Sequence, residues 1–176
     1  KVVKKKISQY NGISPLGNYI IWYDETDSSW YSHKISSGKT AKISTGIDDP
    51  LWNVENDVPD QPGAYGIGGW MEDDEALLIF SQFDVWLADP DGGTPAKRIT
   101  NGRENKNVFR SLDLDRKLPW HREKDDLYFS VYDQTTREAG YAVRKSGADG
   151  FAKTLFKTAN IYNYVIKAEN SEDLLI

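Results

Sequence analysis

"DDEALLIFSQFDVWLADPDGGTPAKRIT" occupies residues 73–100 of this 176-residue chain, and its order of elements decides the fold. The continuous apolar run at 76–81 is typical of a buried strand. Residues 83–89 alternate between two faces, as a strand does. A tight turn at 90–93 follows, in which glycine is free to take a positive φ. Residues 96–100 then predict a short third strand.

The same order of turn, apolar strand, alternating strand, turn and short strand recurs along the chain. An earlier copy covers residues 14–45, a later one covers 123–156, and a fourth begins at 161–176. The apolar centres Ile20, Leu77, Leu127 and Leu174 are roughly 57, 50 and 47 residues apart. The short strands "AKIST" (41–45) and "AKRIT" (96–100) are near copies. A further strand precedes each unit, at 7–10, 64–70, 109–114 and 161–168.

A four-stranded unit repeated about every 50 residues describes the blade of a β-propeller. One meander has two apolar faces that it cannot cover alone, and neighbouring blades cover them. A β-sandwich of about twelve short strands is the rival, but it would lack the longer period. We therefore predict an all-β, partial β-propeller of about three four-stranded antiparallel blades plus the start of a fourth. The predicted parts are blade 1 (about 7–45), a long connection (46–63), blade 2 (about 64–100), blade 3 (about 109–157) and the fourth blade (about 161–176).

Composition excludes several classes of function. The net charge of −5 argues against a nucleic-acid partner, and the basic cluster Lys4–Lys6 reads as a solvated end. The absence of cysteine excludes disulfides, thiolate zinc sites and cysteine nucleophiles. No apolar run approaches the ~20 residues that a membrane-spanning helix needs.

No residue pattern predicts catalysis in this segment. The G-x-S-x-G turn of an α/β-hydrolase nucleophile is absent. His33 and His121 lie far apart in the repeat, which favours surface or inter-strand positions over a base or a zinc site. The acids of residues 48–60 favour a solvated linker over a calcium loop. We predict no catalytic, cofactor-binding or metal-binding residue here.

Three features are assigned to architecture or docking. The glycines of "GIGG" (66–69) have no following lysine or helix, so they favour close passage of an innermost strand over a phosphate loop. We expect inter-blade packing, with a channel-facing ligand contact as the alternative, for Trp22, Trp30, Trp70, Trp86 and Trp120. Trp52 lies in the long connection 46–63, and we expect that connection to dock against another part of the protein or to line an entrance.

The stretch "SPLGNYIIWYD" (14–24) resembles the Ser-Pro-Asp-Gly motif of WD-like propeller repeats, found in the Tol-system periplasmic propeller and in prolyl oligopeptidases. Leu16 stands where that motif usually has Asp. Residues 55–106 resemble the amino-terminal propeller of Bacteroidetes-type prolyl oligopeptidase family serine peptidases. The matching residues are Tyr65, Gly66, Gly69, Trp70, Asp84, Val85, Trp86, Asp89, Pro90, Thr100, Asn101 and Gly102.

The resemblance implies a non-catalytic propeller within a larger, periplasmic or otherwise exported serine peptidase. Both ends of the chain look cut, which suggests a segment. The propeller would gate peptide access and dock further blades and an α/β-hydrolase domain. The alternatives are a Tol-like binding scaffold without peptidase activity and a glycan-binding propeller. Because uncovered blade faces and edges promote association, we expect the isolated segment to self-associate.

Overall fold

The computed structural model describes residues 9–115, 117–162, 165–168, 171 and 173–176, with the backbone alone for 9–11. Regular structure in these residues is almost entirely β, with two short 3-10 turns at Glu72–Asp74 and Arg103–Asn105. The strands are β1 (Gln9–Ile13), β2 (Tyr19–Asp24), β3 (Ser29–Lys34), β4 (Thr40–Lys42), β5 (Ile67–Met71), β6 (Leu77–Phe80), β7 (Val85–Ala88), β8 (Lys97–Arg98), β9 (Asn107–Ser111), β10 (Trp120–His121), β11 (Leu127–Asp133), β12 (Ala139–Arg144), β13 (Lys153–Thr158), β14 (Ile166–Lys167) and β15 (Leu174–Leu175).

The strands form three four-stranded antiparallel meanders and a terminal hairpin. Blade 1 has the order β1-β2-β3-β4, blade 2 has β5-β6-β7-β8, and blade 3 has β9-β11-β12-β13. Within each four-stranded meander the first strand is the innermost, and Ser111 of β9 donates a 2.8 Å hydrogen bond to the carbonyl of Gly68 in β5. The hairpin β14–β15 begins a fourth blade. The chain is a partial β-propeller, as the repeat predicts.

Blade 2 is packed on both faces, which is why its central strand is continuously apolar. Leu77 and Ile79 of β6 face the core shared with blade 1, and Leu78 and Phe80 face the core shared with blade 3. Because successive side chains of a strand point to opposite faces, one strand feeds two cores. Burying each such side chain contributes about 1.5–3 kcal/mol.

Backbone bonds between outermost strands repeat with the blades. The amide of Ala96, at the start of "AKRIT", donates to the carbonyl of Thr45 in blade 1 at 2.8 Å. The amide of Ala152, one repeat later, donates to the carbonyl of Ile99 in blade 2 at 2.9 Å. The prediction that "AKIST" and "AKRIT" occupy equivalent positions is confirmed, since both contribute the outermost strand of their blade.

Asp84 connects two stretches of the blade 2 sequence, "DVW" (84–86) and "TNG" (100–102). Its fully buried carboxylate accepts hydrogen bonds from the Thr100 hydroxyl and the Gly102 amide, both at 2.6 Å. Arg98 and Arg103 also place nitrogen atoms 3.4 and 3.8 Å from this carboxylate. Asp84 therefore fixes residues 100–102, where the chain leaves blade 2, and its four partners make the buried charge tolerable.

The structure differs from the sequence prediction in three places. β10 lies in the predicted pre-turn segment and pairs in parallel with β5, as a fifth strand of the blade 2 sheet. The sequence predicts that the five tryptophans fall at corresponding places in the blades, but only Trp30 and Trp86 do so, in equivalent third strands. Trp22 is buried but lies outside the core shared with blade 2. The strand predicted at 161–168 is described only at Ile166–Lys167; residues 163 and 164, like Lys4–Lys6, lie outside the described residues.

Candidate functional site

The propeller has two ends with different loops. One end carries the connection 46–63, the turn 81–84, the segment 99–106 and the turn 134–138, and we call it the loop end. The other end carries the turns 14–18, 72–76 and 89–96 and the segment 112–126, which we call the strap. Arg116 of the strap lies outside the described residues.

The base of the connection is a small antiparallel ladder. Trp52 and Ala64 form an isolated bridge, the Tyr65 amide donates to the Leu51 carbonyl at 2.9 Å, and the Asn53 amide donates to the Gly63 carbonyl at 2.8 Å. Leu51 is buried in the core between blades 1 and 2. The acidic composition predicts a solvated linker, but the structure shows that the connection is fixed at its base.

The connection also crosses the end of blade 2. The Gln82 amide donates to the Pro50 carbonyl at 2.9 Å, in the turn between β6 and β7. Asp48 accepts a 2.7 Å bond from the guanidinium of Arg103, and this bond lowers the pKa of Asp48 and raises that of Arg103. These contacts hold residues 46–52 across blade 2 toward blade 3.

The tip of the connection presents apolar side chains to solvent. Val54 and Val58 are 42% and 56% exposed, and Trp52 at the base is 37% exposed. The acids Glu55 and Asp57 lie between the two valines in the sequence. Apolar groups on an ordered protrusion with a charged rim are typical of a docking surface.

Arg110 is a second feature of the loop end. It belongs to the innermost strand of blade 3, but its guanidinium lies 4.9 Å from the ring centre of Phe80 and 5.3 Å from that of Tyr65, both in blade 2. It donates to the carbonyls of Phe109 and Gln82. Burial lowers the pKa of Arg110. The Tyr65 hydroxyl accepts the Val54 amide at 3.2 Å, so Arg110, Tyr65 and the connection form one contact chain.

The strap at the opposite end packs against blade 2. Its strand β10 lies on the inner edge of β5, and His121 Nε2 is 3.0 Å from the Gly68 carbonyl. A Cβ on Gly68 would collide with Ser111, Phe80 and Leu78. The predicted use of the "GIGG" glycines, close passage of an innermost strand, fits Gly68.

The histidines singled out in the sequence lie in different elements, and most of the tryptophans lie in the core. His33 is buried in β3 of blade 1 with Nδ1 2.9 Å from the Thr40 hydroxyl, whereas His121 belongs to the strap. Trp30, Trp70 and Trp86 are buried in the core between blades 1 and 2, and Trp120 packs against it. Among the described residues, no group of three or more His, Asp or Glu side chains is placed to hold a metal ion. Within that same part, no helix has the length and apolar character to cross a membrane.

Sequence reasoning missed Arg110, Lys106, Arg137 and Tyr132, which the fold brings to the loop end of blade 3. They belong to segments at 106–110 and 132–137, and nothing periodic links them. Lys106 and Arg137 share one local signature, a positive φ of 53° and 65° at residues other than glycine. That signature is a property of the backbone and is not readable from the residue types.

Comparison with known proteins shows the class of fold. No protein-family model and no curated protein matches the chain. A solved structure of a TolB-like protein from Agrobacterium tumefaciens aligns over 89% of this chain and 52% of its own, with 18% identity and a TM-score of 0.52.

At that identity the likeness shows the fold alone: the chain has a TolB-like, partial β-propeller architecture. It spans about half the length of the matched chain. The Tol-like side of the predicted resemblance is thus supported at the level of fold. No comparison supports the prolyl oligopeptidase side.

Proposed function

We propose that this chain is the non-catalytic, partner-binding part of an exported β-propeller protein, and that it engages a protein partner through the loop end. The observation that carries the proposal is the connection 46–63, which is anchored at its base and presents Val54 and Val58 to solvent. The TolB-like fold fits a periplasmic binding propeller.

The energetics favour docking for the tip. Covering exposed apolar surface by a partner stabilises the complex by about 25 cal/mol for each Å² buried. A connection needed only to join two blades would be shorter, because most connections in compact domains have about 4–6 residues. Residues 46–63 are long and ordered at the base, as docking loops on rigid scaffolds are.

Site-specific photo-cross-linking in the intact protein tests the proposal. A photoreactive residue at Val58 should give a discrete cross-link to another protein or to another domain of the same protein. The matched control is Ile35, 48% exposed on the turn after β3 at the opposite end. Cross-links of equal yield from both positions, or none from Val58, would overturn the proposal.

A second candidate is the gating propeller of a prolyl oligopeptidase-like serine peptidase. It is favoured by the resemblance of residues 55–106 and by the course of the connection over the end of blade 2, where a gate would act. A G-x-S-x-G turn beyond Ile176, and labelling of the intact protein by a fluorophosphonate, are expected on this reading. If the intact protein carries neither property, the binding scaffold remains.

Shortening the connection separates the two candidates further. Replacing residues 54–62 by Asn-Gly retains the ladder between 51–53 and 63–65 and closes it with a two-residue turn. A gate should then admit longer peptides to the active centre of the intact protein. A docking loop should lose its partner without changing any peptide-length preference.

A further inference from the structure

A polar hollow of about 420 Å³ opens at the loop end, between the tip of the connection and the turn 134–138 of blade 3. Its volume lies in the range of about 300–1,000 Å³ that is common for ligand sites. The hollow is lined by Glu55, Lys106, Tyr132, Gln134, Thr135 and Arg137. Two cations and one carboxylate therefore share it with hydroxyl and amide groups.

Both cations are available to a ligand. The ion pairs formed among the described residues include neither Lys106 nor Arg137. The guanidinium of Arg137 donates a 3.3 Å hydrogen bond to the Tyr132 hydroxyl, which leaves most of its five N–H groups free and fixes its direction.

The backbone that carries the cations is fixed. The Gln134 amide donates to the Lys106 carbonyl at 3.0 Å, and the Arg137 amide donates to the Asp133 carbonyl at 2.9 Å. Ser28, in the corresponding turn of blade 1, has a similar φ of 52°. The positive φ is therefore a property of this turn in both blades, whereas the guanidinium side chain is present only in the turn of blade 3. Since the turn and the Lys106 segment are bonded together, a ligand need not order them.

We propose that this hollow receives an acidic side chain of the protein partner, with the carboxylate held by Lys106 and Arg137 and a neighbouring N–H group turned toward Glu55. A planar guanidinium and a carboxylate match in geometry, and charge-assisted bonds are the stronger class. Glu55 on the connection supplies the opposite charge, so the site accepts a donor beside the acid. The inference rests on the proposed function and names the chemistry that the loop end recognises.

Fluorescence anisotropy on the intact protein tests the subsite. The probe is a labelled eight-residue peptide with two adjacent Asp residues, and its partner peptide has Asn at both places. We expect the Asp peptide to bind about tenfold more tightly, with an advantage that shrinks as ionic strength rises. Arg137→Gln and Lys106→Gln should each remove several-fold of that advantage and leave the Asn peptide unaffected.

The matched control is Lys124→Gln, an exposed lysine in the strap at the opposite end. Equal binding of the two peptides, or an equal loss in the Lys124 variant, overturns the inference. If the Val58 cross-link survives with unchanged yield in the double variant of Lys106 and Arg137, the subsite fails and the proposed function stands. If the photoreactive residue at Val58 gives no cross-link even when Lys106 and Arg137 are unchanged, both the subsite and the proposed function are overturned.

Discussion

The carboxylate of Asp74 in blade 2 accepts a 2.6 Å hydrogen bond from the hydroxyl of Ser14 in blade 1, 60 residues earlier in the chain. The amides of Leu16 and Asn18 and the side-chain amide of Asn18 point to the same carboxylate, at 3.1–3.4 Å. Asp74 is 2% exposed. One buried carboxylate therefore organises the first turn of blade 1 and ties it to blade 2.

Replacing Asp74 by Asn should lower the free energy of unfolding by about 1–3 kcal/mol, because an amide removes one acceptor and leaves buried donors unsatisfied. Asn tolerates the left-handed backbone that Asp74 adopts with φ 57°. Urea unfolding measures the change. Asp73→Asn is the control, since Asp73 has φ 58° but an exposed side chain. Equal losses in the two variants would show that the tie to Ser14 is not responsible.

Acid should weaken blade 3 through Asp133. Hydrogen bonds from Lys157 and from the Thr136 and Thr135 amides lower the pKa of Asp133 from 3.8 to about 2. A carboxyl whose pKa is lower in the folded state stabilises the protein above the unfolded pKa, and that stability is lost as the pH falls through the folded pKa. We expect urea midpoints to fall between about pH 4 and pH 2.

The comparison that isolates Asp133 is the pH profile of Asp133→Asn. This variant should be less stable at neutral pH and should show a flatter decline on the acid side. An acid limb of unchanged steepness would assign the decline to other carboxylates.

Gly140 should not tolerate a side chain. It lies in β12 where β13 approaches closely, next to a register shift, and a Cβ there would collide with the carbonyl of Phe156. Gly140→Ala should therefore destabilise blade 3 by about 1–3 kcal/mol or more through overpacking. Gly150→Ala, whose Cβ would enter open space, is the control in the same thermal-unfolding series. Comparable melting temperatures for the two variants would contradict the close approach.

The isolated chain should self-associate through the far face of blade 3. Tyr132 and Leu155 are 38% and 50% exposed, and an apolar hollow of about 190 Å³ lies beside Tyr141 and Tyr162. We expect dimers or larger species by light scattering at high micromolar concentration, because exposed apolar faces drive association. Leu155→Lys should lower the average mass of the particles measured by light scattering, whereas Ile35→Lys, on a turn of blade 1, should not. A monomeric unmodified chain would refute this prediction.

The repeat was readable because its signals are local. Turn residues such as those at 90–93 punctuate strands, and the continuous run at 76–81 indicates burial on both faces. Those signals were sufficient for the sheet order and for assigning Leu77 and Leu78 to a buried strand. His33 of β3 contacts Thr40 of β4, and His121 of β10 contacts Gly68 of β5.

The parts that escaped prediction depend on partners distant in sequence. β10 has two residues and pairs with a strand about 50 positions earlier, so no alternation marks it. The hollow at the loop end joins Glu55 to Arg137, and its members are ordinary surface residue types. Residue type predicts which side chains can bind, whereas the approach of the connection to blade 3 decides which of them meet.

The pairing of β10 with β5 has a consequence for the order of assembly. Blade 2 contains four consecutive strands, but its sheet takes a fifth from Trp120–His121, after the first strand of blade 3. Synthesis proceeds at roughly 5–20 residues per second, so β10 is completed roughly 1–5 s after the last strand of blade 2 and only then can cover its inner edge. Biogenesis of blade 2 is thus staggered, because its own four strands are synthesised first and the later strand β10 then covers its inner edge.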